Sequence, residues 1–235
     1  MGKQLSAIGF DADDTLWQNE QFFRLSEERL AALLAEYGES ADISARLLAA
    51  ERRNVGLYGF GIKGFTLSMI ETAIEVTGGR VEGKVIAEIL SAGREMLSHP
   101  IEPLPHARAS LESLAGRYKL ILFTKGDLFD QERKLAQSGL GELFDAVEIV
   151  SDKSAAVYER AFRRHGRGPA EAMMVGNSLK SDVLPAIEAG GFGVYVPHDL
   201  TWALEHAEAP LDEARFFEIP HLGELGRIIA RIEEG

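Results

Sequence analysis

The chain has 235 residues, 46% of them apolar, with 25 Lys and Arg against 37 Asp and Glu, a formal net charge of −12 at pH 7. That length supports one large domain or a domain with a sizeable insertion, and the acidity argues against nucleic acid or an anionic membrane surface as partner, leaving room for a local basic pocket. There is no cysteine, which removes disulfides and thiolate metal sites.

In chain order the first element is an apolar strand, Leu5 to Phe10, too short for a signal peptide or a membrane span and ending in acids. A soluble, cytoplasmic protein is expected. The strand runs into Asp11-Ala12-Asp13-Asp14-Thr15. Asp11 and Asp13 flank a small residue in a turn, which can place both around one hard cation, Mg²⁺, with Asp13 offering its side chain or its carbonyl oxygen. A carboxylate beside a metal stays ionised and can attack phosphorus, while a second acid can protonate the leaving group. Asp and Thr are also common loop and helix-cap residues, so the turn alone does not decide.

From Asn19 to about Leu97 the apolar residues recur at helical spacing: Phe22, Phe23, Leu25, Leu30, Leu33 and Leu34, then Ile43, Leu47 and Leu48, then Leu67, Ile70 and Ile74, then Val85, Ile86, Ile89 and Leu90. Within this all-helical block lies the glycine-rich stretch Gly56 to Phe65. It reads as a substrate-facing loop in which Gly56, Gly59, Gly61 and Gly64 give freedom, Tyr58, Phe60 and Phe65 line a pocket, and Lys63 is the basic group; the other reading is a helix connection whose aromatics pack inside. Pro100, Pro103 and Pro105 mark a stiff return.

From Arg108 onward strands alternate with helices: Lys119 to Phe123, Phe129 to Gln137, Ala146 to Val150, Ala155 to Arg164, Ala172 to Val175 and Gly193 to Val196. That alternation predicts a doubly wound parallel sheet with helices on both faces. The strand Leu5 to Phe10 must pair with these later strands, so the helical block is an insertion. Asp11, Thr124 and Gly176 each follow a strand end, where such sheets bind ligands.

Around those ends sit the remaining polar groups. The turn Thr124-Lys125-Gly126 can offer a hydroxyl and backbone N–H groups to a phosphate oxygen, and Lys153 can neutralise a nucleophile and a phosphoryl group. Gly176-Asn177-Ser178-Leu179-Lys180-Ser181-Asp182 supplies an amide and an acid, metal ligands or a loop and helix cap. The histidines are scattered without ligand spacing, and Trp202 reads as the anchor of a surface loop.

In this order and placement, the chain resembles the haloacid dehalogenase superfamily of phosphohydrolases. Asp11 to Thr15 looks like the first motif, Thr124 the second, Lys153 the third and Gly176 to Asp182 the fourth. The resemblance implies a Rossmann-like core over residues 1–16 and 102–235, with a mobile helical cap over 17–101 that covers the site. It implies a phosphomonoesterase acting on a small phosphorylated metabolite through an aspartyl-phosphate. Asp11 is then the nucleophile, Asp13 the general acid/base, and Thr124 and Lys153 the phosphoryl-orienting pair. Lys125 in the core, with Tyr58, Phe60 and Lys63 in the cap, would complete the substrate contacts. Mg²⁺ would be held by Asp11, the Asp13 carbonyl and the fourth motif, through Asn177 or Asp182.

Two departures stand out: Ser154 follows Lys153 where the family often has proline, and Asn177 stands where an Asp is common. With Asp11, Asp13 and Asp182 set against a divalent metal and Lys153, the site comes close to neutral, which eases entry of an anion. Rival readings are a haloacid dehalogenase, disfavoured by the presence of Asp13, a phosphonate hydrolase using Lys63 as its amine, a receiver-type signalling module, and a non-catalytic phosphate-ligand-binding protein.

Overall fold

The structure, a computed structural model, describes residues 4–235. It divides into two units, one built on a sheet (residues up to Gln18, Ile101–Lys125 and from Gln131 on) and one helical (Asn19–Pro100 with Gly126–Asp130).

The sheet unit holds six strands, β1 Ala7–Phe10, β2 Lys119–Lys125, β3 Ala146–Val150, β4 Ala172–Gly176, β5 Phe192–Tyr195 and β6 Phe216–Glu218. All pair in parallel in the order β3-β2-β1-β4-β5-β6. The alternation seen in the sequence predicts this architecture, apart from β6, whose three residues, Phe-Phe-Glu, are too short to show a period. β1 is buried along its whole length, as a central parallel strand covered on both faces must be.

Alternate strand residues point to opposite faces. Ile8, Phe10, Leu120, Leu122 and Val175 join the core on one side of the sheet, with Leu111 of helix α5 (Ala107–Leu114) and Leu225 and Ile228 of α9 (Leu225–Glu234). Ala7, Ile121, Phe123 and Met174 join the other, with Tyr158 and Phe162 of α7 (Ala155–His165) and Ala186 of α8 (Leu184–Glu188). Each fully buried side chain of this kind contributes about 1.5–3 kcal/mol. The chain winds to one side of β1 with β2 and β3 and to the other with β4 to β6. The reversal opens a crevice between the ends of β1 and β4.

The helical unit comprises α1 Glu20–Leu33, α2 Ser40–Tyr58, α3 Ile62–Val76 and α4 Gly83–Ser98. Its core is made by pairs four apart, Leu30 and Leu34, Ile43 and Leu47, Phe65 and Met69, with Ile89 and Met96. Leu25, Leu67, Ile74 and Leu90, which share the helical period, face outward. Trp17 is fully buried in the sheet unit's core, although the sequence reading starts the insertion there.

The glycine-rich stretch is mostly helix. Gly56 lies in α2 and Gly64 in α3, and the turn is Gly59 to Gly61. Gly59 and Gly61 have φ of +75° and +111°, which a side chain would strain. The expectation that Phe65 lines a pocket is corrected: it is buried against Phe23, ring centroids 4.9 Å apart, because the α3 period points it inward. Among the described residues no helix is long and apolar enough to cross a membrane.

Candidate active site

The site is built at the ends of β1, β2 and β4. The amide of Asp11 still donates to the Val175 carbonyl (2.9 Å), and there the strand stops. The next residues fold into a tight turn in which the amides of Leu16 and Thr15 reach back to the Ala12 carbonyl and Asp14 takes φ +59°, a left-handed conformation that Asp tolerates. Leu122 pairs with Phe10, so Thr124, two residues further on, stands level with Ala12 in the first turn.

Asp11 belongs to a buried ionic triad centred on Lys153. Lys153 Nζ bonds Asp11 Oδ1 and, at 2.7 Å, Asp182 Oδ1; the Lys153 and Asp182 side chains are 2% and 0% exposed. Burial above all, then the negative charge of Asp182, pushes the Asp11 carboxyl up to about 7 in spite of Lys153. Burial would lower the Lys153 ammonium, but the charges of Asp11 and Asp182 outweigh it and raise it. Tyr158 borders the triad, donating to the Ser181 carbonyl at 3.0 Å.

The other Asp11 oxygen, Oδ2, accepts from the Thr15 hydroxyl at 3.1 Å. The amide end of Asn177 lies 3.1 Å from the same Oδ2 and 3.3 Å from both the Asp13 carbonyl oxygen and the Thr15 hydroxyl. Three oxygens surround that amide, so its NH₂ is the end that satisfies them here. Asp182 sits in a π-helical turn, Leu179–Val183, of a kind often found at functional sites. Both its oxygens are used, Oδ1 by Lys153 and Oδ2 by the Ser178 amide at 3.0 Å. Gly176 makes room for it: a Cβ there would collide with the Asp182 carboxylate.

The Asp13 carboxylate has its own set of donors. Oδ1 accepts from the Trp17 indole at 2.7 Å and from Lys134 Nζ at 2.9 Å; Oδ2 accepts from Gln131 at 3.0 Å and Lys134 at 3.1 Å. Burial favours the neutral acid, yet the Lys134 charge and these bonds outweigh it and hold the carboxyl below its usual range. Among the described residues no three carboxylate or imidazole groups converge as metal ligands. The Asp13 carboxylate is close enough for its charge to add to the upward push on Asp11, and the Asp13 oxygen beside Asn177 is its carbonyl.

The structure thus brings together Asp11, Lys153, Asn177 and Asp182, with the Asp13 carbonyl beside Asn177 and its carboxylate bound by Trp17, Gln131 and Lys134. Lys125 bonds Ser181 Oγ and Glu205, both at 2.7 Å, and the Thr124 hydroxyl donates to the Lys125 carbonyl at 3.4 Å. Glu205 also accepts from Ser178 at 2.6 Å, and Lys125 and these bonds keep its carboxyl below its usual range despite burial. In the helical unit Lys63 pairs with Asp127 at 2.9 Å and Tyr58 is 55% exposed.

Sequence reasoning misses Gln131, Lys134 and Glu205. The first two carry a signal: they sit three apart in α6 (Leu128–Ser138) and are buried where the helical period calls for apolar residues. Glu205 carries none, standing in a single 3-10 turn, Ala203–Glu205, far from Lys125 in the chain.

Comparison with known proteins bears on this geometry. A family model described as a haloacid dehalogenase-like hydrolase matches residues 5–190. A crystal structure of a haloacid dehalogenase-like family hydrolase from Xanthomonas campestris superposes with a TM-score of 0.88 at 40% identity, over 99% of this chain and 94% of that one. A glyceraldehyde 3-phosphate phosphatase of Methanothermobacter thermautotrophicus is 26% identical over 217 residues, 87% of this chain and 91% of its own. A pyrimidine 5'-nucleotidase of Escherichia coli is 24% identical over 95% of this chain and 97% of its own.

Proposed function

The chain belongs to the haloacid dehalogenase-like hydrolase family, and from that premise we propose that it is a Mg²⁺-dependent phosphomonoesterase for a small phosphorylated metabolite, working through Asp11. The observation that carries this reading is the Asp11–Lys153–Asp182 triad beside a second acid, Asp13, two residues on. The phosphatase and nucleotidase named among the relatives act on small phosphorylated compounds and support the substrate class.

The oxygens around the Asn177 amide fit a hard cation. Asp11 Oδ2, the Asp13 carbonyl and, with the amide reversed, Asn177 Oδ1 would hold Mg²⁺, an all-oxygen set of the kind that ion prefers. When bound, the ion supplies positive charge to the phosphoryl oxygens and keeps Asp11 ionised. Asp182, with both oxygens already engaged, serves to hold Lys153 and the Ser178 turn.

In the reaction proposed, Asp11 Oδ1, the oxygen facing Lys153, attacks phosphorus as the bond to the ester oxygen breaks. Asp13, which takes up a proton when one of its present donors gives way, hands that proton to the departing oxygen. In the second half Asp13 takes a proton from water, the water oxygen attacks phosphorus, and the bond to Asp11 breaks to release phosphate. Lys153 and Thr124 orient the phosphoryl group, and Lys125 holds the adjoining turn. Tyr58, Phe60 and Lys63 are proposed to select among leaving groups, since core groups recognise little beyond the phosphoryl.

Screening the purified protein against phosphorylated metabolites, with Mg²⁺ and with EDTA, tests this. Metal-dependent phosphate release is expected; metal-independent halide release from haloacids would replace the reading with dehalogenation.

A further inference from the structure

The groups around Asp13 form a donor clamp that the family-level mechanism leaves unused. Four donor contacts reach the carboxylate, from Trp17 and Lys134 on Oδ1 and from Gln131 and Lys134 on Oδ2. Lys134 alone supplies two of these contacts, from a side chain only 5% exposed. A buried ammonium is costly unless paired, and this one grips both oxygens of one carboxylate.

Gln131 supplies an independent sign. Its NH₂ donates to Asp13 Oδ2 and to the Lys125 carbonyl (3.2 Å), while its own Oε1 is buried with no hydrogen-bond partner. An orphaned buried acceptor costs about 1–3 kcal/mol. Reversing the amide would set Oε1 against two acceptors, so the orphan persists because Asp13 needs a donor there. Gln131 and Lys134 occupy one face of α6.

We infer that Lys134, seconded by Gln131, is the positioning residue of the acid/base Asp13, fixing the direction in which its carboxyl meets the ester oxygen. This rests on the phosphatase reading above. Proton delivery matters most when the departing alkoxide is a poor leaving group and least when it is a stable phenolate. The specificity constant reports only steps through the first irreversible one, so it isolates formation of the aspartyl-phosphate from its hydrolysis.

The test measures kcat/KM with Mg²⁺ for 4-nitrophenyl phosphate and for an alkyl phosphate found in the screen, in wild type, Lys134→Met, Lys134→Arg and Gln131→Leu. The ratio of the aryl to the alkyl value is expected to rise roughly tenfold or more in Lys134→Met, since general acid catalysis is worth about 10²–10⁴-fold. Lys134→Arg should recover part of it, and Gln131→Leu, which keeps the buried charge pair, should move it the same way by less. Equal losses on both esters, or a ratio unchanged within about twofold in the folded variants, would overturn the inference. A wild type inactive on both esters would instead defeat the phosphatase reading.

Discussion

Replacing Lys153 by Met removes the ammonium that bridges Asp11 and Asp182 and leaves two buried carboxylates facing each other, 10% and 0% exposed. Removing one partner of a buried pair costs about 3–5 kcal/mol. The lower end applies, because Asp11, already pushed up to about 7 with the lysine present, escapes part of the penalty by taking a proton. A loss of about 3 kcal/mol in a chain of this size corresponds to a fall in Tm of roughly 6–12 °C. The sign with pH follows from linkage. A carboxyl raised in the folded state holds a proton that the unfolded chain has released, so stability falls as pH rises from the unfolded value near 4 through the folded one. Melts followed by circular dichroism in EDTA should therefore show the deficit large at about pH 8 and small at about pH 5. Asp182→Asn added to Lys153→Met should recover part of it, since one of the two facing charges is gone. A Lys153→Met protein as stable as wild type at the higher pH, or equally impaired at both, would refute the buried triad.

Three further outcomes follow from the same geometry. Asp11→Asn should abolish turnover while melting in EDTA at or above wild type near pH 8, because a neutral amide then faces Asp182; a large drop in Tm would assign Asp11 to folding rather than chemistry. Mg²⁺ should raise Tm more at about pH 8 than at about pH 5, since protons on Asp11 compete with the ion below the folded pKa and not above it; equal shifts would place the ion elsewhere. Gly176→Ala should cost about 1–3 kcal/mol in chemical denaturation, because its methyl group meets the Asp182 carboxylate, and a neutral result would mean the turn relaxes freely.

Much of this was legible in the sequence because period and placement carry it. The strand Leu5 to Phe10 had no partner before residue 119, which forced β1 into the middle of the later sheet; Asp11 follows its strand as expected, whereas Thr124 and Gly176, also read as following strands, are respectively the last residue but one of β2 and the last of β4. Lys153 could be placed near the site but not bonded, since its reach to both Asp11 and Asp182 depends on tertiary packing. The open choice between the Asp13 side chain and its carbonyl was beyond pattern reading. Trp17, from the same turn, and Gln131 and Lys134, from α6, bind the carboxylate, and the last two lie far from Asp13 in the chain. The glycine-rich stretch misled because composition suggests a loop where only Gly59 to Gly61 is one, with Gly64 kept small by the Gly59 carbonyl 2.9 Å from where its Cβ would stand.

The proposal turns on Asp11 carrying the phosphoryl group, and that is measured by quenching the wild-type enzyme with acid during turnover of its best phosphorylated substrate, digesting it and weighing the peptides. A mass gain of one phosphoryl group is expected on the peptide holding Asp11, assigned to that residue by fragmentation and absent from Asp11→Asn. Phosphate release with the group on another residue, or continued turnover by Asp11→Asn, would contradict it.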